Sequence, residues 1–184
     1  MSAPDTEKTM QVWDPLVRIT HWLLVASVAL AWLTSEGFGR WHDYIGYLAL
    51  AVAAVRIGWG FTGTKYARFS QFVRSIRHTA AYAGSVIAGR QKRYLGHNPL
   101  AGWMALALLL MVLLTGATGW LYTTDAYWGV EWVEELHEAS AYIMLFLIVL
   151  HIAGAIATSR HHRENLISGM MHGNKRPAGQ DDIV

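Results

Sequence analysis

The stretch ELHEASAYIMLFLIVLHIAG, residues 135–154, decides how this chain folds. It is long and apolar enough to cross a bilayer, and it holds a histidine near each end, His137 and His151. The two are 14 residues apart. On a helix, steps of about 100° bring the second ring back to within about 40° of the first, so both project from one face. The rise between them is roughly 21 Å, which sets one ring near each side of a hydrocarbon core about 30 Å thick.

Three further apolar stretches lie upstream, at about residues 17–34, 42–60 and 99–122, and the opening stretch extends over about 133–158. Each is long enough to span a membrane. Asn98-Pro99 gives the third stretch an N-cap and a proline at its first helical position. Composition agrees: 53% of the 184 residues are hydrophobic and only 15% charged, where a soluble domain carries about 25%. Nine tryptophans and eight tyrosines suit a protein with two membrane–water interfaces. The expected fold is all-α, an integral membrane four-helix bundle in one domain, residues 1–184, with a tail from 159 to 184. The chain has no cysteine, which excludes disulfides, iron–sulfur clusters and thioether-attached haem. The opening MSAPDTEKTMQVWDP carries Asp5, Glu7 and Asp14 and no small-residue cleavage site. The first apolar stretch is therefore expected to be kept as a membrane helix, not removed as a signal peptide.

Lysine and arginine orient the bundle. Residues 61–98 hold Lys65, Arg68, Arg74, Arg77, Arg90, Lys92 and Arg93 with no acidic residue, and the tail adds Arg160, Arg163, Lys175 and Arg176. The two opposite loops hold Arg40 alone. The positive-inside rule then puts both termini and the middle segment in the cytoplasm. Within that segment, RFSQFVRSIRHTAAYAGSVIAG places Phe69, Phe72, Val73 and Ile76 on one side. This suits an amphipathic helix on the inner leaflet; a basic, solvated loop is the other reading. The outer face is acidic, with Glu36, Asp43, Asp125, Glu131, Glu134, Glu135 and Glu138. No internal repeat or second domain is visible, and no nucleic-acid partner is expected.

Depth pairs the histidines. His21 lies one turn inside Arg18 and His151 about two and a half turns before Arg160, both in the cytoplasmic half. His42 and His137 open their helices on the outer side. A single intramembrane histidine reads as a polar contact between helices. Four that form two depth-matched pairs read as ligands, because an ionisable group inside a span is costly and marks function. Each pair, His21 with His151 and His42 with His137, offers two axial imidazoles from two helices, so two haems are expected. Arg56 follows His42 by 14 residues and reaches the depth of His151, while Arg18 is one turn from His21. Both read either as cations for haem propionates or as boundary residues that snorkel to the interface. Gly46, Ala141 and Gly154 lie three or four residues from the histidines, and TGATG holds Gly116 and Gly119. Such small residues either admit a flat macrocycle or make ordinary helix packing. His97 reads as helix-entry packing or as a group facing a propionate or a quinone. His78, and His161, His162 and His172 in the tail, need no special role.

The blocks VWDPLVRITHW, HDYIGYLALAVAAVRIGWGFTG, RYLGHNP and LHEASAYIMLFLIVLHIAG resemble, in order, those of the bacterial dihaem cytochrome b561 family, which includes the cytochrome b subunits of nickel–iron hydrogenases. The resemblance covers about residues 11–176, and its R-x-x-H-W block and paired histidines are specific in combination. It implies a four-helix, multi-pass cytochrome of the bacterial inner membrane with two b-type haems on His21, His42, His137 and His151. It also implies electron transfer between the quinone pool and a periplasmic redox protein, a hydrogenase-type subunit or a c-type cytochrome. Two alternatives stand beside this conduit: a superoxide oxidase that reduces ubiquinone, and a membrane anchor subunit of a larger redox complex. The acidic outer face suits docking of a basic protein better than attraction of an anion. Quinone positions are open between Arg56, His97 and Trp103 on the inner side and Trp41 or Tyr44 on the outer. A homodimer and a complex subunit are both compatible with the sequence.

Overall fold

A computed structural model describes residues 9–36 and 39–184, so Asp5 and Glu7 lie outside the described residues. In chain order the elements are β1 (Met10–Gln11), α1 (Pro15–Leu33), α2 (Arg40–Thr62), a 3-10 turn (Lys65–Ala67), α3 (Phe69–Phe72), α4 (Ile76–Ile87), α5 (Pro99–Tyr122), α6 (Glu131–His162), α7 (Leu166–His172) and β2 (Asn174–Lys175). Four of them, α1, α2, α5 and α6, are long and apolar enough to cross a membrane. The chain is the expected all-α membrane four-helix bundle. Its end nearest β1 and β2 is called basal below, and the opposite end distal.

Side-chain caps start the helices. The Asp14 carboxylate accepts from the Val17 amide at 2.9 Å at the start of α1, with Pro15 at the first position. It also accepts from Trp59 Nε1 and from the Thr64 hydroxyl, which ties the start of α1 to the end of α2. Burial works to raise the Asp14 carboxyl, but the bonds from Thr64, Val17 and Trp59 outweigh it and hold the group below its usual range. Asn98 caps α5 in the same way, accepting from the Ala101 amide at 2.8 Å. The helix α6 continues past the apolar run to His162, where Arg163 takes a left-handed conformation (φ 50°) and ends it. Its 32 residues measure about 48 Å. The first turn, with Glu131 and Glu134, therefore stands clear of an apolar layer about 30 Å thick.

Helix α1 packs on α2, α2 on α5 and α5 on α6; no comparable packing joins α6 to α1 or α2. The membrane core is small: Ala49 and Ala53 of α2, Leu109 and Val112 of α5, and Met144 of α6. Small side chains on α2 let α5 come close, as packing without a water-driven force requires. Gly116 belongs to this contact, since a Cβ there would lie 2.5 Å from the Leu50 side chain. Gly60 likewise makes room for Phe69, whose ring would stand 2.2 Å from an added Cβ. Most other apolar side chains point outward, Ile143, Phe146 and Val149 among them, as lipid contact demands. Exposed Trp41, Trp120, Trp128 and Trp132 band the distal end.

The basal end is closed by a cap built from three segments far apart in sequence. Strands β1 and β2 pair antiparallel, Met10 opposite Lys175. Gly173 turns the chain between α7 and β2 at φ 89°, and its carbonyl accepts from the amides of Val12 and Trp13. A side chain there would meet the Trp13 carbonyl at 2.6 Å as well as strain the backbone. Arg93 is 5% exposed and binds Glu164 through Nε and Nη2 (3.0 and 2.6 Å), Asp182, and the carbonyl of Arg176. The tail is thus anchored at Glu164, Lys175 and Asp182, while residues 176–181 stay exposed.

The middle segment departs from its expected single face. Phe69 and Phe72 point inward, with Phe72 2% exposed, whereas Ile76 is 77% exposed. The helix breaks at residues 73–75 because Ser75 starts a new one, its hydroxyl accepting from the His78 amide. Helix α4 packs against α5 and leaves Ile76 and Ile87 exposed.

Candidate functional site

All four intramembrane histidines are half-buried and face one another in two pairs. His42 of α2 and His137 of α6 have ring centres 6.0 Å apart at the distal end. His21 of α1 and His151 of α6 have theirs 6.5 Å apart at the basal end. An imidazole nitrogen binds a metal at about 2 Å and sits about 1 Å from its ring centre, so two rings on opposite sides of one ion have centres about 6 Å apart. Both pairs meet that spacing. Among the described residues no three histidine or acidic side chains converge as a bare metal site. Two imidazoles suit a macrocycle that brings four nitrogens of its own.

The distal rings are oriented by backbone. His42 Nδ1 lies 3.0 Å from the Ala31 carbonyl oxygen, and His137 Nδ1 lies 2.9 Å from that of Thr115. A carbonyl only accepts, so Nδ1 carries the proton in both rings and Nε2 remains for a metal. The Thr115 hydroxyl donates to Ser140 at 2.8 Å, and Ser140 donates to the His137 carbonyl at 2.9 Å, which fixes α5 against α6 beside the ring. Beside the two rings opens a cleft of about 280 Å³. Ala49, Val112 and Met144 form its floor, and Glu36, Asp43 and Glu138 stand in its wall. Gly46 and Ala141 line it, and a Cβ on Gly46 would meet nothing within 4 Å. A flat apolar group fits beside such a surface. Both glycines of TGATG line the cleft, but an added Cβ would meet Leu50 at Gly116 and the His137 ring at Gly119.

The basal pair is set among cations. Arg56 is 7% exposed; its Nη2 donates to the Ala67 carbonyl at 3.3 Å, and its Nη1 is shielded with no partner. Arg18 donates from Nη1 to the Met171 carbonyl at 2.9 Å and leaves Nε shielded and unpartnered. His21 Nδ1 and His97 Nδ1 are also shielded and unpartnered. Shielded polar nitrogens left open in this way are rare, and the two arginine N–H groups call for an acceptor. A group with carboxylates would supply one, so the basal residues fit a haem as well as the distal cleft does.

The sequence alone did not reveal the enclosure of His97. Its ring is held between Trp13 and Phe72, each with its ring centre 4.7 Å away. Burial, then the nearby charges of Arg56 and Lys175, push its pKa down to about 3. Lys175 donates to the Leu95 carbonyl at 2.8 Å, and burial lowers it to about 8. Of the other suggested positions, Trp103 donates Nε1 to the Arg74 carbonyl, while Trp41 and Tyr44 are exposed at the distal rim.

A membrane bundle that sets two imidazole pairs at two depths is built as a membrane cytochrome. The chain belongs to the prokaryotic cytochrome b561 family, whose pattern matches residues 12–173. It is similar to the probable Ni/Fe-hydrogenase B-type cytochrome subunit of Rhizobium leguminosarum bv. viciae, 24% identical over 95% of this chain and 92% of that one. The corresponding subunit of Bradyrhizobium diazoefficiens is 23% identical over 91% and 86%. The probable Ni/Fe-hydrogenase 1 B-type cytochrome subunit of Escherichia coli K12 is 26% identical over 65% and 63%. No solved structure matches the chain. The protein is a multi-pass inner-membrane cytochrome that uses haem b in electron transfer.

Proposed function

We propose that the protein is a dihaem cytochrome that carries electrons between the quinone pool and a periplasmic redox protein, a hydrogenase-type subunit or a c-type cytochrome. The observation that carries this reading is the pair of cross-helix imidazole contacts, with ring centres at 6.0 and 6.5 Å. His42 and His137 hold one haem, His21 and His151 the other. When bound, haem supplies the one-electron chemistry. With two imidazoles engaged at each haem, the chain's own residues would leave no open coordination site for oxygen. Backbone carbonyls orient the distal rings, and Arg18 and Arg56 keep N–H groups for propionates.

Sidedness follows the cations. The basal end, with the basic middle segment and tail, faces the cytoplasm, and the distal end faces the periplasm. Acidic residues around the distal pair suit a basic patch on a soluble partner and slow the approach of an anion such as superoxide. Quinone reaches the bundle sideways from the lipid. The basal side, at His97, is the better candidate for it, because His97 Nδ1 is shielded without a partner and can donate to a quinone oxygen when it carries the ring proton. Purification of single histidine variants tests the assignment. His151→Ala is expected to keep one haem per chain, with the spectrum of the distal site. Two full haem equivalents in that variant would overturn it.

A further inference from the structure

The two imidazole pairs differ in what stands behind them. Both distal rings donate from Nδ1 to a backbone carbonyl, His42 to Ala31 and His137 to Thr115. Neither basal ring does: His21 Nδ1 is shielded without a partner, and no described hydrogen bond engages His151. An imidazole whose free N–H is hydrogen-bonded becomes the more basic ligand and favours the oxidised metal. Charge acts in the same sense. Glu36, Asp43 and Glu138 line the distal cleft, whereas Arg56 is the charge that acts on His21 of the basal pair and Arg18 lies one helical turn from it. Carboxylates favour the oxidised state of a nearby centre and cations the reduced one.

Gly119 permits the distal arrangement. A Cβ at that position would lie 3.0 Å from His137 Cε1 and 3.2 Å from Nδ1. The ring would have to shift by a few tenths of an ångström, away from the Thr115 carbonyl that shares its turn of α5. We propose that Gly119 and the Thr115 carbonyl position His137 so that the distal pair holds its haem at a lower midpoint potential than the basal pair. The inference rests on the dihaem reading and adds an order to it. The downhill direction runs from the acidic periplasmic face inward, with a periplasmic redox protein as reductant and quinone as oxidant. One electron leaves the distal site for each that arrives at the basal site.

Optical redox titration of the purified holoprotein reads both midpoints. Wild type is expected to show two waves, and His151→Ala, which keeps the distal haem, is expected to show only the lower. Gly119→Ala is expected to raise the lower wave, leave the upper in place and alter one low-spin EPR signal. Gly60→Ala meets Phe69 at the basal end and neither distal ring, so it separates ring positioning from helix packing: its lower wave stays at the wild-type value. Should Gly119→Ala lose the distal haem, the order is still read from wild type against His151→Ala. A lower wave unmoved by Gly119→Ala, or His151→Ala that keeps the higher wave, would overturn the inference. Fewer than two haems in wild type would instead overturn the dihaem reading beneath it.

Discussion

His21 on the first membrane helix and His151 on the last stand with their ring centres 6.5 Å apart, closer than any packing between the backbones of α1 and α6 requires. If the two rings serve one haem, removing either removes the same haem. The variants His21→Ala, His151→Ala and the double variant are expected to lose one and the same haem signal each. Haem content and reduced spectra of the three read this out. A double variant that loses twice as much as either single would contradict it.

Arg56 is almost fully buried and keeps Nη1 without a partner. Arg56→Gln removes the charge and is expected to weaken haem retention at the basal site by about 10–100-fold, as loss of a supporting contact does at metal centres. Titration of haemin into apoprotein in detergent measures it, with the distal site as the internal reference. Equal retention at both sites would show that Arg56 is only a boundary cation.

Two neighbouring glycines separate packing from propensity. Gly60→Ala drives a methyl into Phe69 and is expected to cost about 1–3 kcal/mol. Gly58→Ala meets nothing within 4 Å and is expected to stabilise the helix by about 0.5–1 kcal/mol. Thermal unfolding of both variants in one detergent gives the comparison.

The basal cap is expected to loosen in acid. Burial works to raise the Glu164 carboxyl, but bonds from Arg93 and the Arg176 amide outweigh it and hold the group below its ordinary 4.5. Its contribution is therefore present above 4.5 and lost as the pH falls through the lower folded value. Burial pushes His97 from its ordinary 6.5 to about 3, so its neutral form supports folding above 6.5 and that support is lost as the pH falls toward 3. Hydrogen exchange over residues 164–183 is expected to accelerate as the pH is taken from 7 to 3 while the amides of α5 stay protected. Arg93→Ala, which leaves two partly buried carboxylates unpaired, is expected to cost about 1–3 kcal/mol at neutral pH.

Sidedness is checked by reporter fusions. A fusion after Lys92 is expected to report the cytoplasm, and one after Asp125 the periplasm. The reverse pattern would invert the assignment of the two sites and their partners.

Spacing and charge in the sequence carried much of the architecture. The apolar runs mark the four membrane helices, Asn98-Pro99 marks the start of α5, and 14-residue periodicity places His137 and His151 on one face of α6. What the sequence left open depends on neighbours. Local periodicity put Phe72 and Ile76 together, but a break at Ser75 turns one inward and the other outward. Gly116 and Gly119 look alike in TGATG, and only the positions of Leu50 and His137 tell them apart. The enclosure of His97 and the bonds of Arg93 need partners more than sixty residues away, Trp13, Glu164 and Asp182, which no local pattern encodes.

The measurement closest to the central claim is haem stoichiometry joined to ligation. A pyridine haemochrome assay against quantitative protein determination is expected to give two haems b per chain, and near-infrared magnetic circular dichroism to show both as low-spin bis-imidazole centres. One haem per chain, or a second haem without bis-imidazole ligation, would contradict the pairing of His42 with His137 and of His21 with His151.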